Sequence, residues 1–139
     1  MAFDTTVGGI VFLVGRVLFG VLLGFMGLDH LTELDGMSEY AAAKGVPFPR
    51  LGVLGSGLLL VLGGLAIVLG VYPLLGAAAI ALFLLVVTPT IHDFWTVADP
   101  ERRQAEMNDF LKNAALFGAA LLVVSFSGTA WPYALNIGL

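Results

Sequence analysis

Cysteine is absent from this 139-residue chain, and charge is scarce: only 12% of residues are Asp, Glu, Lys or Arg. Without a thiol there is no self-contained thiol–disulfide chemistry, no thiolate-bound iron–sulfur cluster and no Cys-type zinc site. A soluble domain of this length carries about a quarter charged residues. Six Lys and Arg against ten Asp and Glu leave a net charge of −4. No basic stripe exists to displace counterions from a phosphate backbone, so nucleic acid is not an expected partner. Long apolar runs are what the chain has instead. Its composition is 59% hydrophobic and its mean hydropathy is +1.00.

Four runs stand out: about 7–28, 51–72, 74–91 and 110–126. A span needs roughly 20 apolar residues to cross about 30 Å of hydrocarbon. The expectation is an all-α polytopic membrane protein, a single four-transmembrane-helix bundle over residues 1–139, in the cell membrane. The first run lacks a basic leader and a small-residue cleavage pattern, so it reads as a span and not a signal peptide. Both termini and the tight turn "GVYPLLG" then share one side. The loops 29–50 and 92–109 share the other, with Lys44, Arg50, Arg102 and Arg103. The positive-inside rule predicts these loops cytoplasmic and the termini outside.

Small residues predict close helix contacts. Gly20, Gly24 and Gly27 stripe the first span; Gly52, Gly55, Gly63 and Gly64 line the second. Ala77, Ala78, Ala79 and Ala81 thin the third, and Ala115, Gly118 and Ala119 the fourth. The stripe serves either the chain's own bundle or a homo-oligomer. In the first loop, Ser38 is expected to cap "EYAAAK", which Gly45 ends and Pro47 and Pro49 cannot continue. Leu31, Leu34 and Met37 form an apolar stripe that predicts a hairpin folded over the bundle mouth. In the second loop Asp99 and Pro100 open a helix that runs on to Phe126. Arg102 and Glu106, four apart, can pair.

The polar residues inside or beside the spans are the candidate site. Arg16 lies nine residues into its run, roughly 13 Å deep, where an arginine costs about 2.5–3.5 kcal/mol on insertion scales. Either it snorkels to the termini side, or it is an interior anchor on Tyr72, Ser125, Ser127, a backbone carbonyl, or a lipid or quinone oxygen. At the opposite end Asp29, His30, His92, Asp93, Lys112 and Asn113 come from three helix ends that converge on one face. Lys112 is expected beside Asp29 or Asp93, and His92 beside a carboxylate can shuttle protons. These groups form either a network closing the bundle or a proton-relay or quinone-headgroup site. No HxxxH or HExxH spacing supports a metal site. Trp95, Trp131 and Tyr133 read as interfacial belt residues, with Trp95 also able to stack on a ligand ring.

Four pieces resemble the DoxX family: Arg16 followed by "LFGVLLGFMGLDHL", then "YAAAKGVPFP", "HDFW" and "NDFLKNAALFGAALL", in that order from about Arg16 to Leu122. The resemblance implies a four-helix membrane bundle associated with redox systems. Some members are linked to thiosulfate:quinone oxidoreductase or terminal quinol oxidase complexes, others to oxidative-stress complexes, and eukaryotic membrane chaperones are distantly similar. It implies an accessory, quinone- or lipid-interacting subunit of a membrane redox assembly, with no intrinsic cofactor and no complete reaction of its own. If the chain is enzymatic, it belongs to a quinone-linked oxidoreductase complex. The alternatives are a structural or chaperone-like component and a small transporter; the catalytic residues are unknown.

Overall fold

The computed structural model describes Phe3 and residues 5–139. The described residues form five α-helices, four of them long and apolar enough to cross a membrane. The fold is an all-α polytopic membrane bundle.

Helix α1 (Thr6–Thr32) opens on Thr5, whose hydroxyl accepts the Gly8 N–H at 3.0 Å. Its 27 residues extend about 40 Å and carry Asp29 and His30 inside the helix, beyond the run expected to stop at 28. Short α2 (Leu34–Ala43) follows. Ser38 does not cap it. The helix starts four residues earlier, and the buried Ser38 hydroxyl donates back to the Leu34 carbonyl. Gly45, at φ 79°, then turns the chain. Helices α3 (Pro49–Leu69), α4 (Pro73–Ile91) and α5 (Pro100–Phe126) each begin on proline, whose missing N–H would be unsatisfied at a first turn anyway. Asp99 also caps α5, accepting the Arg102 N–H at 2.9 Å. A 3₁₀ turn, Phe94–Thr96, joins α4 to α5.

Glycine decides which helices touch. A Cβ on Gly20 would lie 2.5 Å from the Gly64 carbonyl oxygen, and one on Gly27 would lie 2.7 Å from that of Gly57. Backbone therefore meets backbone along α1 and α3, where dispersion and not water expulsion holds helices together. Gly63 faces α4, with Ile80 filling the gap. The motif thus packs the chain's own bundle, but not through every expected residue. A Cβ on Gly24, Gly55 or Gly118 would meet nothing within 4 Å, and Ala78 and Ala115 are exposed. The core is narrow: Leu23, Leu60, Ile67, Ile80, Leu84 and Ala120 are its innermost side chains. Outward leucines, valines and phenylalanines such as Leu18, Phe25, Leu62, Leu82 and Leu122 form an apolar coat.

The C-terminal segment docks on the bundle. Leu135 N–H donates to Leu69 O at 2.9 Å, Ile137 N–H to Gly70 O at 3.1 Å, and Tyr72 N–H to Ile137 O at 2.7 Å. Gly70 is required twice over. Its φ is 67°, and a Cβ there would strike the Ala134 Cβ at 2.6 Å. Trp131 is correspondingly not a belt residue: it is 2% exposed, edge-on to Phe12 at 5.1 Å. Phe3, Phe12, Phe126 and Trp131 close this end of the bundle as one aromatic cluster.

Candidate functional site

Arg16 belongs to the closed end. It is 2% exposed, lies 5.7 Å over the Trp131 ring and donates to the Tyr133 carbonyl. It is an interior anchor that ties α1 to the C-terminal segment. Tyr72, Ser125 and Ser127 do not bond it: the tail folds back over the guanidinium and accepts from Nη2, and Nε and Nη1 have no partner among the described residues.

The opposite end is open. A cavity of about 930 Å³ lies between the loop-side halves of α3 and α4. α3 and α4 pack closely at their tight turn, where Gly63 faces Gly76. Toward the loops the wall is made of Gly52, Gly55, Leu82 and Val86, all exposed, so the cavity opens sideways toward the apolar surroundings of the bundle. Leu23, Leu60 and Leu84 form its floor, while α2 roofs it with Met37, Tyr40 and Ala41. Pro89, inside α4, withdraws the N–H that the Leu85 carbonyl would take, next to the lining residues Val86, Val87 and Thr90.

Four candidate residues line this cavity: His30, His92, Lys112 and Asn113. Asp29, Asp93, Trp95 and Arg16 do not. His30 Nδ1 lies 2.7 Å from the Ser56 hydroxyl oxygen, which itself donates to the Val53 carbonyl at 2.9 Å. His92 Nδ1 donates to Glu106 Oε2 at 2.8 Å, and Tyr40 donates to Oε1 of the same carboxylate at 2.8 Å. Asn113 is 5% exposed, and its amide makes no side-chain hydrogen bond among the described residues while not being fully shut off from accessible space.

The expected ion pairs are rearranged. Lys112 binds Asp109 one helical turn away, at 2.7 Å, and neither Asp29 nor Asp93. Asp93 instead pairs with Lys44, which holds the Lys44 ammonium above its usual lysine value, mainly through that hydrogen bond. Glu106 does not pair with Arg102, because the His92 ring and the Tyr40 hydroxyl occupy both its oxygens. Burial, then the bond to Glu106, pushes the Tyr40 phenol above the ordinary tyrosine range. Trp95 is 56% exposed and packs edge-on to Phe94 at 5.3 Å and Phe110 at 6.0 Å.

Sequence reasoning missed Glu106, Tyr40 and Ser56 as site residues. Ser56 carried a signal: it is a hydroxyl in mid-helix of an apolar span. Tyr40 carried none, since 66 residues separate it from Glu106.

A four-span bundle with a lateral cavity under a short roofing helix defines an integral membrane protein of the multi-pass class. The DoxX family model matches residues 11–93, more than half of the chain, and the chain belongs to that family. The match ends at Asp93, so Glu106, Lys112 and Asn113 on α5 lie beyond it. No match is found among curated proteins or among solved structures.

Proposed function

We propose that this DoxX protein is an accessory, quinone- or lipid-interacting subunit of a membrane redox assembly. One observation carries the reading: a sideways-opening cavity of about 930 Å³, apolar in its shaft and polar at one end, where His30, His92 and Asn113 gather. That volume and lining suit the head and first tail carbons of a membrane amphiphile. The sequence holds no cysteine, and the part proposed for the chain is to hold, orient or pass a ligand to partner subunits. The long loops face the cytoplasm in this reading, since Lys44, Arg50, Arg102 and Arg103 lie at that end.

The test is Gly55→Phe, which adds a ring where a Cβ meets nothing within 4 Å. Membranes from cells making this variant should lose quinone-dependent electron transfer at an unchanged level of the protein. Transfer that follows protein amount alone would refute the reading.

A second reading has its own support. Lys44–Asp93 joins the end of α2 to the end of α4, and Tyr40–Glu106–His92 joins α2, α5 and α4. A structural or chaperone-like component would need these contacts only to hold the bundle. Under that reading His92→Ala lowers the melting temperature and leaves electron transfer proportional to the remaining protein.

A further inference from the structure

The cavity's hydrogen-bonding groups are not neutral about what they accept. Ser56 has one hydroxyl hydrogen, and it lies on the Val53 carbonyl at 2.9 Å. With that hydrogen on Val53 the oxygen is left to accept from His30, and the geometry points to a neutral His30 ring with its hydrogen on Nδ1. Nε2 is left as a bare lone pair, and no described residue donates to it. The same logic fixes His92. A carboxylate accepts and does not donate, so Glu106 Oε2 holds the His92 hydrogen on Nδ1 at 2.8 Å. In their neutral form the two imidazoles on the cavity wall offer acceptors.

Charge points the same way. The one Lys or Arg that lines the cavity, Lys112, is already on Asp109 at 2.7 Å, and Glu33 adds a carboxylate to the lining. Lys44 and Arg50 nearby are held by Asp93 and Asp35. A phosphate or carboxylate head would find one cation, Lys112, already paired with Asp109, and would lie beside the carboxylates of Asp109 and Glu33. Asn113 is the remaining polar group. It is 5% exposed, lines the cavity, has no described partner, and can donate or accept. Its amide keeps some accessible surface and is open to a partner from the cavity's contents.

We propose that the cavity selects an uncharged amphiphile whose head donates hydrogen bonds through hydroxyl groups, received by Nε2 of His30 and the Asn113 amide. For a quinone-type ligand this means the reduced, dihydroxy form over the oxidised, dicarbonyl form. The inference rests on the cavity being the ligand site, and it specifies the head that site takes. At His30 a hydroxyl in place of a carbonyl replaces acceptor-facing-acceptor with a made hydrogen bond, worth about tenfold in affinity, while the Asn113 amide serves either form. For a two-electron couple a tenfold preference raises the bound midpoint potential by about 30 mV.

A short-tailed benzoquinone and its own hydroquinone share ring and tail and differ in the donors. Binding of each to the purified full chain in detergent is measured by calorimetry, under reductant for the hydroquinone. Competition by a sterol-type alcohol and by an anionic phospholipid is measured alongside. The hydroquinone is expected to bind about tenfold tighter than the quinone. Ser56→Ala, which frees the His30 ring from its fixed hydrogen position, and His30→Phe should both erase that preference while quinone still binds. Asn113→Leu should weaken both forms. Competition by the alcohol supports the hydroxyl chemistry and names a lipid alcohol as a source. Equal affinity of the two forms, tighter quinone, or displacement by the anionic phospholipid overturns the inference and leaves the cavity as a ligand site. Failure of every probe to bind the wild-type chain overturns both.

Discussion

Gly20 and Gly24 are one motif in sequence and two different positions in the bundle, and alanine at each should separate them. A Cβ on Gly20 falls 2.5 Å from the Gly64 carbonyl oxygen and 2.7 Å from Val68 Cγ2. A methyl can be rotated away from, but a helix carbonyl cannot. Restoring ordinary contact moves α1 from α3 by about 1 Å, and a gap of that size forfeits roughly a quarter to a half of each dispersion well it opens. Overpacking of this kind costs about 1–3 kcal/mol. Alanine's better helix propensity returns up to about 1 kcal/mol. The net expectation is a loss of about 1–2 kcal/mol for Gly20→Ala, and none for Gly24→Ala, whose Cβ meets nothing within 4 Å. Thermal unfolding in a mild detergent, with size-exclusion chromatography for oligomeric state, reads both. Equal destabilisation by the two variants would refute the packing account. So would an oligomer that dissociates on Gly24→Ala alone, because the motif would then serve a second copy.

Arg16→Ala removes a charged hydrogen bond to Tyr133 and the contact over Trp131; a loss of about 2–4 kcal/mol is expected, with the segment after Phe126 becoming cleavable by added protease. The chain has no cysteine, so single cysteines at Glu101 and Thr129 can be labelled cleanly; in sealed right-side-out vesicles an impermeant maleimide should label the second and spare the first. Tyr40 and Lys44 both have raised values in the fold, so their contribution to stability is complete below pH of about 10 and declines as pH rises through the raised values. Melting temperature should therefore fall in strong alkali, and Tyr40→Phe should flatten that fall and remove an ionisation above the usual tyrosine value from the ultraviolet titration.

The spans were legible because bilayer thickness and backbone hydrogen bonding leave an apolar run of this length little choice. The start of α5 was legible too, since Asp99-Pro100 is a local signal and capping is a local interaction. What the sequence did not disclose is which distant groups meet. Arg102 lies one turn from Glu106, yet His92, beyond the preceding helix end, and Tyr40, on α2, take both carboxylate oxygens. Lys112 chose Asp109, its neighbour on α5, over carboxylates on other helices. Glycine was ambiguous in a different way: Gly64 marks contact and Gly55 marks empty space, and the residue type is the same. Trp131 read as an interfacial anchor because nothing local says that the tail returns to the α3–α4 turn. Its docking depends on Gly70, some sixty residues earlier, admitting Ala134.

The proposed function requires the cavity between α3 and α4 to be occupied in the membrane. The most direct measurement is a native mass spectrum of the gently purified chain, followed by extraction and identification of whatever travels with it, for the wild type and for Gly55→Phe. One uncharged, hydroxyl-headed amphiphile per cavity is expected in the wild type and is lost in the variant, with both proteins equally folded. A wild-type chain that flies bare, or carries the same lipids as Gly55→Phe, would contradict it.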